Sequence, residues 1–294
     1  MKVWPRPPEE PFPPPFQALL TAILARAARV QGGRTEVARA RQRALSQSGT
    51  FVGHRAYAPG DDLRRLDWHA FARTGHLFLK LLEEDERRQT TLLLDTSASM
   101  LAGEPARWTG MLRLAAILGG LALRHLDGVR IVAGGTDVAF AGSAGLPPML
   151  QHLRASTPRP FDPVAAAQSV VARGAPGRIA WLSDFADPTT VERALAVLRR
   201  RGARVVGWQP MIAEDLDVPV RGWLRLVDPE TGVAESIAVD AELAAAMREE
   251  LVRLRRRQDR AFVSFGYPLQ RFPLPAATDF RLASWLEAAW RRRS

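Results

Sequence analysis

The sequence predicts an α/β fold, with a doubly wound, mostly parallel central sheet flanked by helices. Three observations carry this prediction. Residues 91–94 within TTLLLDTSASM, residues 178–183 (RIAWLS) and residues 203–209 (ARVVGWQ) are short apolar runs of the kind that strands covered on both faces require. Helical segments alternate with them, since residues 105–126 follow the first run and residues 189–201 precede the third. Two of the runs lead into an aspartate, Asp95 and Asp184. Carboxyl ends of parallel strands share one edge, which is where open α/β sheets bind ligands.

Taken in order, the chain divides into three regions. Residues 1–48 comprise a proline-rich arm (1–15), which is expected to be extended, and a helix over 16–46. Leu19, Leu20, Ile23, Leu24 and Ala27 form the helix's apolar stripe, and Gly32 and Gly33 interrupt it. Residues 49–89 mix aromatics, glycines and dense charge, and are expected to pack on the sheet. Residues 90–294 form the main domain, with hairpin and helical additions near 222–260. Within it, Pro105 suits a helix's first turn, and Gly134-Gly135 reads as a hairpin turn between strands at 129–133 and 137–140. Short helices are expected over 147–154 and 163–173, and a hairpin around DPETGVA joins 223–227 to 235–239. A charged amphipathic helix over 241–260, a final central strand over 261–265 and a closing helix over 279–291 complete the reading.

Composition narrows the function. At 294 residues and 47% hydrophobic, the chain buries a full core. No apolar run reaches the roughly 18 residues of a membrane helix, and MKVWPRPPEEPFPPP lacks the apolar segment of a secretory signal, so a cytoplasmic protein is expected. With zero cysteines, any metal site uses oxygen or histidine. The net charge of +10 raises nucleic-acid binding as a reading. Lysine occurs only at Lys2 and Lys80, however, and the arginine triplets 199–201, 255–257 and 291–293 lie near predicted helix ends, where they complement the helix dipole. Dipole complementation is preferred, and nucleic acid is not favoured as a partner.

The chemistry gathers at Asp95, Ser97 and Ser99, three hard oxygens at alternating positions after a buried strand, with Asp184 at the end of another. Such a set suits Mg²⁺, which takes one or two carboxylates and fills its shell with neutral oxygens and water; Mn²⁺ or Ca²⁺ would substitute. The alternative is a metal-free loop whose serines cap the following chain. Asp95-Thr96-Ser97-Ala98-Ser99 resembles the Asp-x-Ser-x-Ser signature of the von Willebrand factor A fold, whose metal-ion-dependent adhesion site uses those three positions. Asp184 in LSDFAD resembles the Asp at the end of that fold's later central strand. The stretch 158–163 departs from the pattern, placing Phe161 where the adhesion site takes a threonine, with Thr157 several residues away.

Upstream, Tyr57, Pro59, Gly60, Asp61, Arg64, Asp67, Trp68, Ala72 and Arg73 resemble the signature of domain of unknown function family 58, which places this segment immediately before such a fold. Physically, Asp61, Asp62, Arg64, Asp67 and Arg73 around Trp68 read as a buried or half-buried ion-pair network with an apolar anchor, or else as a recognition surface. His54, His69 and His76 are not spaced as a zinc site. No phosphate loop or nucleophile elbow is present, and no catalytic residue is assigned. The resemblance implies a non-catalytic protein-interaction module that works with a MoxR-type AAA+ ATPase, or its client, in protein or complex maturation. The competing expectation is a metal-dependent phosphatase or nuclease using Asp95 and Asp184.

Overall fold

A computed structural model describes residues 10–31, 50–57, 66–83, 89–103, 107–124, 128–174, 177–212, 215, 222–228 and 231–274. The chain divides into two compact units, Ala28–Arg88 and Met1–Ala27 with Gln89–Ser294.

In the smaller unit, β1 (Thr50–Ala56) pairs antiparallel with β2 (Phe78–Glu83), with a register shift between Phe51 and Gly53. Between them, α1 (Trp68–Thr74) begins at Asp67, whose carboxylate accepts the backbone N–H groups of His69 and Ala70 at 3.0 and 3.1 Å. That is an aspartate N-cap. Gly75, at φ 71°, ends the helix in the left-handed conformation. Asp67 of the expected network thus caps this helix, and the expected buried anchor is corrected, since Trp68 is 62% exposed and edge-on to Phe71. Pro59, Gly60, Asp61, Asp62 and Arg64 lie outside the described residues.

The larger unit is built on a six-stranded sheet. Its strands are β3 (Gln89–Leu94), β4 (Gly128–Ala133), β5 (Thr136–Phe140), β6 (Arg178–Leu182), β7 (Arg204–Met211) and β10 (Leu269–Pro273), in the order β10-β7-β6-β3-β4-β5. All neighbours are parallel except β5, which turns back on β4 through Gly134 and Gly135, both at positive φ. The first strand of this sheet, β3, therefore lies between the second (β4) and the fourth (β6). That neighbourhood is the switch point of a doubly wound sheet. β8 (Gly222–Val227) and β9 (Ala234–Val239) form a separate hairpin, as the turn residues predict.

Alternation along β3 divides the core in two. Leu92 and Leu94 face one apolar cluster and Leu93 the other, and β6 does the same with Ala180 and Leu182 against Ile179 and Trp181. On the first side lie α2 (Pro14–Gln31), α3 (Arg107–Arg124) and α4 (Leu146–Ala155). α3 is buried on nearly every side, as a helix apolar all round should be. Its glycines allow close approach of neighbouring helices, since a Cβ at Gly119 would stand 2.6 Å from the Met149 side chain of α4, and one at Gly120 would stand 3.2 Å from Leu24 of α2. All five stripe residues of α2 are buried. The helix starts at Pro14, inside the arm expected to be extended, because proline is tolerated in a first turn. Its expected extension to residue 46 falls outside the described residues beyond Gln31.

The second side is covered by α5 (Pro163–Ala172), α6 (Pro188–Arg200) and α7 (Ala241–Ser264). Here the strand expected over 261–265 is corrected. α7 runs through it, and Gln258, Ala261 and Phe262 are buried at helical spacing while Val263 is 71% exposed. Gly266, at φ 71°, stops the helix, and β10 follows as the outer parallel strand. The triplet 255–257 accordingly lies within α7 and not near its end. The expected closing helix over 279–291 lies outside the described residues.

Candidate functional site

Asp95 follows β3 and Asp184 follows β6 by one residue, so the switch point brings both carboxylates to one edge. They are 5% and 8% exposed. The backbone N–H of Asp95 donates to the Leu182 carbonyl at 2.9 Å, which fixes the two loops together. Asp95 Oδ1 accepts both the Ser97 N–H (2.9 Å) and the Ser97 hydroxyl (2.6 Å), and Ser97 Oγ lies 3.0 Å from Ser99 Oγ. The three oxygens picked out by spacing are therefore contiguous. Burial, and next the charge of Asp184, push the Asp95 carboxyl up to about 6, against the hydrogen bonds from Ser183 and Ser97 that pull it down.

Further side chains complete the site. Ser183 donates its hydroxyl to Asp95 Oδ2 at 2.6 Å and accepts the Phe185 N–H at 2.9 Å, so it ties Asp95 to the Asp184 loop. Its signal was its place beside Asp184 in LSD, masked by reading it as the last strand residue. The Asp184 carbonyl accepts the side-chain amides of Gln209 (2.7 Å) and Gln258 (3.1 Å), and the latter also reaches the Phe185 carbonyl at 3.0 Å. These clamps hold Phe185 at φ 53°, the one non-glycine residue at positive φ among the described residues. Arg107, at the start of α3, places Nη1 3.6 Å from Asp184 Oδ2 and donates from the same nitrogen to the Ser99 carbonyl at 3.2 Å. Its Nε and Nη2 pair with the Asp215 carboxylate.

The loop between α4 and α5 reaches the site through the Arg159 N–H, which donates to the Thr96 carbonyl at 2.7 Å. Thr157 on that loop is exposed, and Phe161 packs into the second apolar cluster. Among the described residues no three acidic or histidine side chains gather as a metal cluster, so a cation here depends on serine oxygens. The donor set fits one. Two close, buried carboxylates, one of them driven toward its neutral form, gain most from a divalent ion, and the two serine hydroxyls supply hard neutral oxygens beside them.

The sequence profile described as "Protein of unknown function DUF58" matches residues 53–261, from within β1 through the site to most of α7. The chain belongs to this family. DUF58 therefore covers Asp95, Ser97, Ser99, Arg107 and Asp184 alike, along with the Trp68 segment. Two relatives of the chain are Uncharacterized protein Mb1516 of Mycobacterium bovis and Uncharacterized protein Rv1480 of Mycobacterium tuberculosis. Each is 28% identical, with 68% of this chain and 68% of the relative covered. Among solved structures, the chain is similar to conserved hypothetical protein BatB from Bacteroides thetaiotaomicron, at TM-score 0.40 and 14% identity over 69% of this chain and 98% of that one. It is also similar to the SpRpn10 VWA domain, at TM-score 0.36 and 11% identity over 69% and 94%. No described helix is long and apolar enough to cross a membrane.

Proposed function

We propose that this DUF58 chain is a non-catalytic protein-interaction module whose Asp95–Asp184 edge holds a divalent cation. Asp95, Ser97 and Ser99 would contribute the first face of the site and Asp184 the second. One open coordination position would be completed by an acidic side chain of a partner protein. Mg²⁺ is the favoured ion, with Mn²⁺ or Ca²⁺ as substitutes. The observation that supports this most is the contiguity of Asp95 Oδ1, Ser97 Oγ and Ser99 Oγ at the switch point, opposite a second buried carboxylate. The partner is proposed, from family resemblance, as a MoxR-type AAA+ ATPase or its client in the cytoplasm.

Calorimetric titration of Mg²⁺ and Mn²⁺ into the wild type and Asp95→Ala tests the reading. Binding in the wild type and none in the variant is the expected result. No heat in the wild type would leave Ser97 and Ser99 as loop caps only. Asp95-dependent, Mg²⁺-dependent turnover of a phosphoester or of nucleic acid would overturn the non-catalytic reading.

A further inference from the structure

We infer that Arg107 sets the metal affinity of this crevice, acting as an internal cation on Asp184 that Asp215 draws away. The inference rests on the proposed metal site and adds the residue that controls it. Arg107 is mostly buried, so its charge acts through a poorly screened medium. Its guanidinium touches both halves of the candidate donor set, with Nη1 against the Asp184 carboxylate at 3.6 Å and on the Ser99 carbonyl at 3.2 Å. The Asp184 contact is longer than a hydrogen bond, whereas the fork of Nε and Nη2 lies on Asp215. Arg107 thus has one strong seat, Asp215, and one weaker one, Asp184.

Asp215 is itself held in place. Its Oδ2 accepts the Ile212 N–H at 2.9 Å, and its carbonyl accepts from Arg255 of α7. Among Asp95, Asp184, Asp215 and Arg107 the carboxylates outnumber the guanidinium three to one, an excess of negative charge that attracts a divalent cation. An ion beside Asp184 meets the Arg107 charge across that carboxylate. The more fully the guanidinium is drawn onto Asp215, the smaller this repulsion becomes. Charge on residue 107 opposes metal, and charge on residue 215 favours it.

The test is calorimetric titration of Mn²⁺ and Mg²⁺ into the full chain carrying Arg107→Met, Arg107→Lys or Asp215→Asn, each checked for a cooperative melt. Arg107→Met is expected to tighten Mn²⁺ binding by about tenfold, and Asp215→Asn to weaken it by about tenfold, as removal of one poorly screened charge implies. Arg107→Lys, which keeps the charge, should stay within about threefold of wild type. The opposite signs separate this role from simple disruption, which would weaken binding in every variant. Equal affinity in wild type and Arg107→Met, or tighter binding in Asp215→Asn, overturns the inference and leaves the metal site standing. Absence of binding in wild type and Arg107→Met alike overturns the metal site and the inference together. If Arg107→Met does not fold, the Lys and Asn variants decide by the same limits.

Discussion

In protein stripped of divalent metal, Asp95→Asn stabilises the fold relative to wild type at pH 7, and the advantage shrinks as the pH falls toward 4. The Asp95 carboxyl titrates at about 6 in the fold, against 3.8 as its ordinary value. Its folded pKa is raised, so between these values the native state holds a proton that the unfolded chain has released. Stability then falls as pH rises through the window and levels off above it. The difference corresponds to about 3 kcal/mol at neutral pH. Asparagine mimics the protonated side chain, since it still accepts from Ser97 at one atom and can donate to Ser183 at the other. Asp137 and Asp187 have lowered pKa values, the opposite sign, but both proteins carry them and their contributions cancel in the difference. Urea denaturation of both proteins with a chelator present measures this. A pH-independent difference between them would contradict it.

Phe262→Ala costs about 3–5 kcal/mol, while its neighbour Val263→Ala stays within about 0.5 kcal/mol. Phe262 is fully buried, with its ring 4.9 Å from that of Phe185 and 6.3 Å from that of Trp181. Gly207 of β7 leaves room for it, because a Cβ there would stand 2.5 Å from the Phe262 ring. Removing the ring opens a cavity beneath the strained Asp184-Phe185 turn, so the loss also loosens the site's second carboxylate. Val263 points outward from α7. Chemical denaturation of the two variants measures the contrast, and comparable losses at both positions would contradict the helical assignment.

That segment also marks the limit of what the residues disclose alone. AFVSF is β-prone taken by itself, and only the burial of Gln258, three residues before Ala261, reveals the helical period. The rest of α7, over 241–260, is legible as a charged amphipathic helix, and only its last turn is not. The strands at Leu92, Trp181 and Val205 were legible because sheets covered on both faces leave no polar interruption. The site was legible in the same uneven way. Asp95, Ser97, Ser99 and Asp184 stand at strand ends, where small hydroxylic and acidic residues break apolar runs. Arg107 and Asp215 are separated by 108 residues and act on the site only through tertiary packing. Local spacing carries no trace of such a pair, and the arginine reads as an ordinary polar residue at a helix start.

Anomalous diffraction at the manganese edge from crystals grown with Mn²⁺ tests directly whether the switch-point oxygens hold a cation. The predicted result is a single peak in the crevice beside Asp95 Oδ1, Ser97 Oγ and Ser99 Oγ, facing Asp184 and absent from Asp95→Ala crystals. A crevice without anomalous density, in wild-type crystals whose mother liquor holds saturating Mn²⁺, would contradict it.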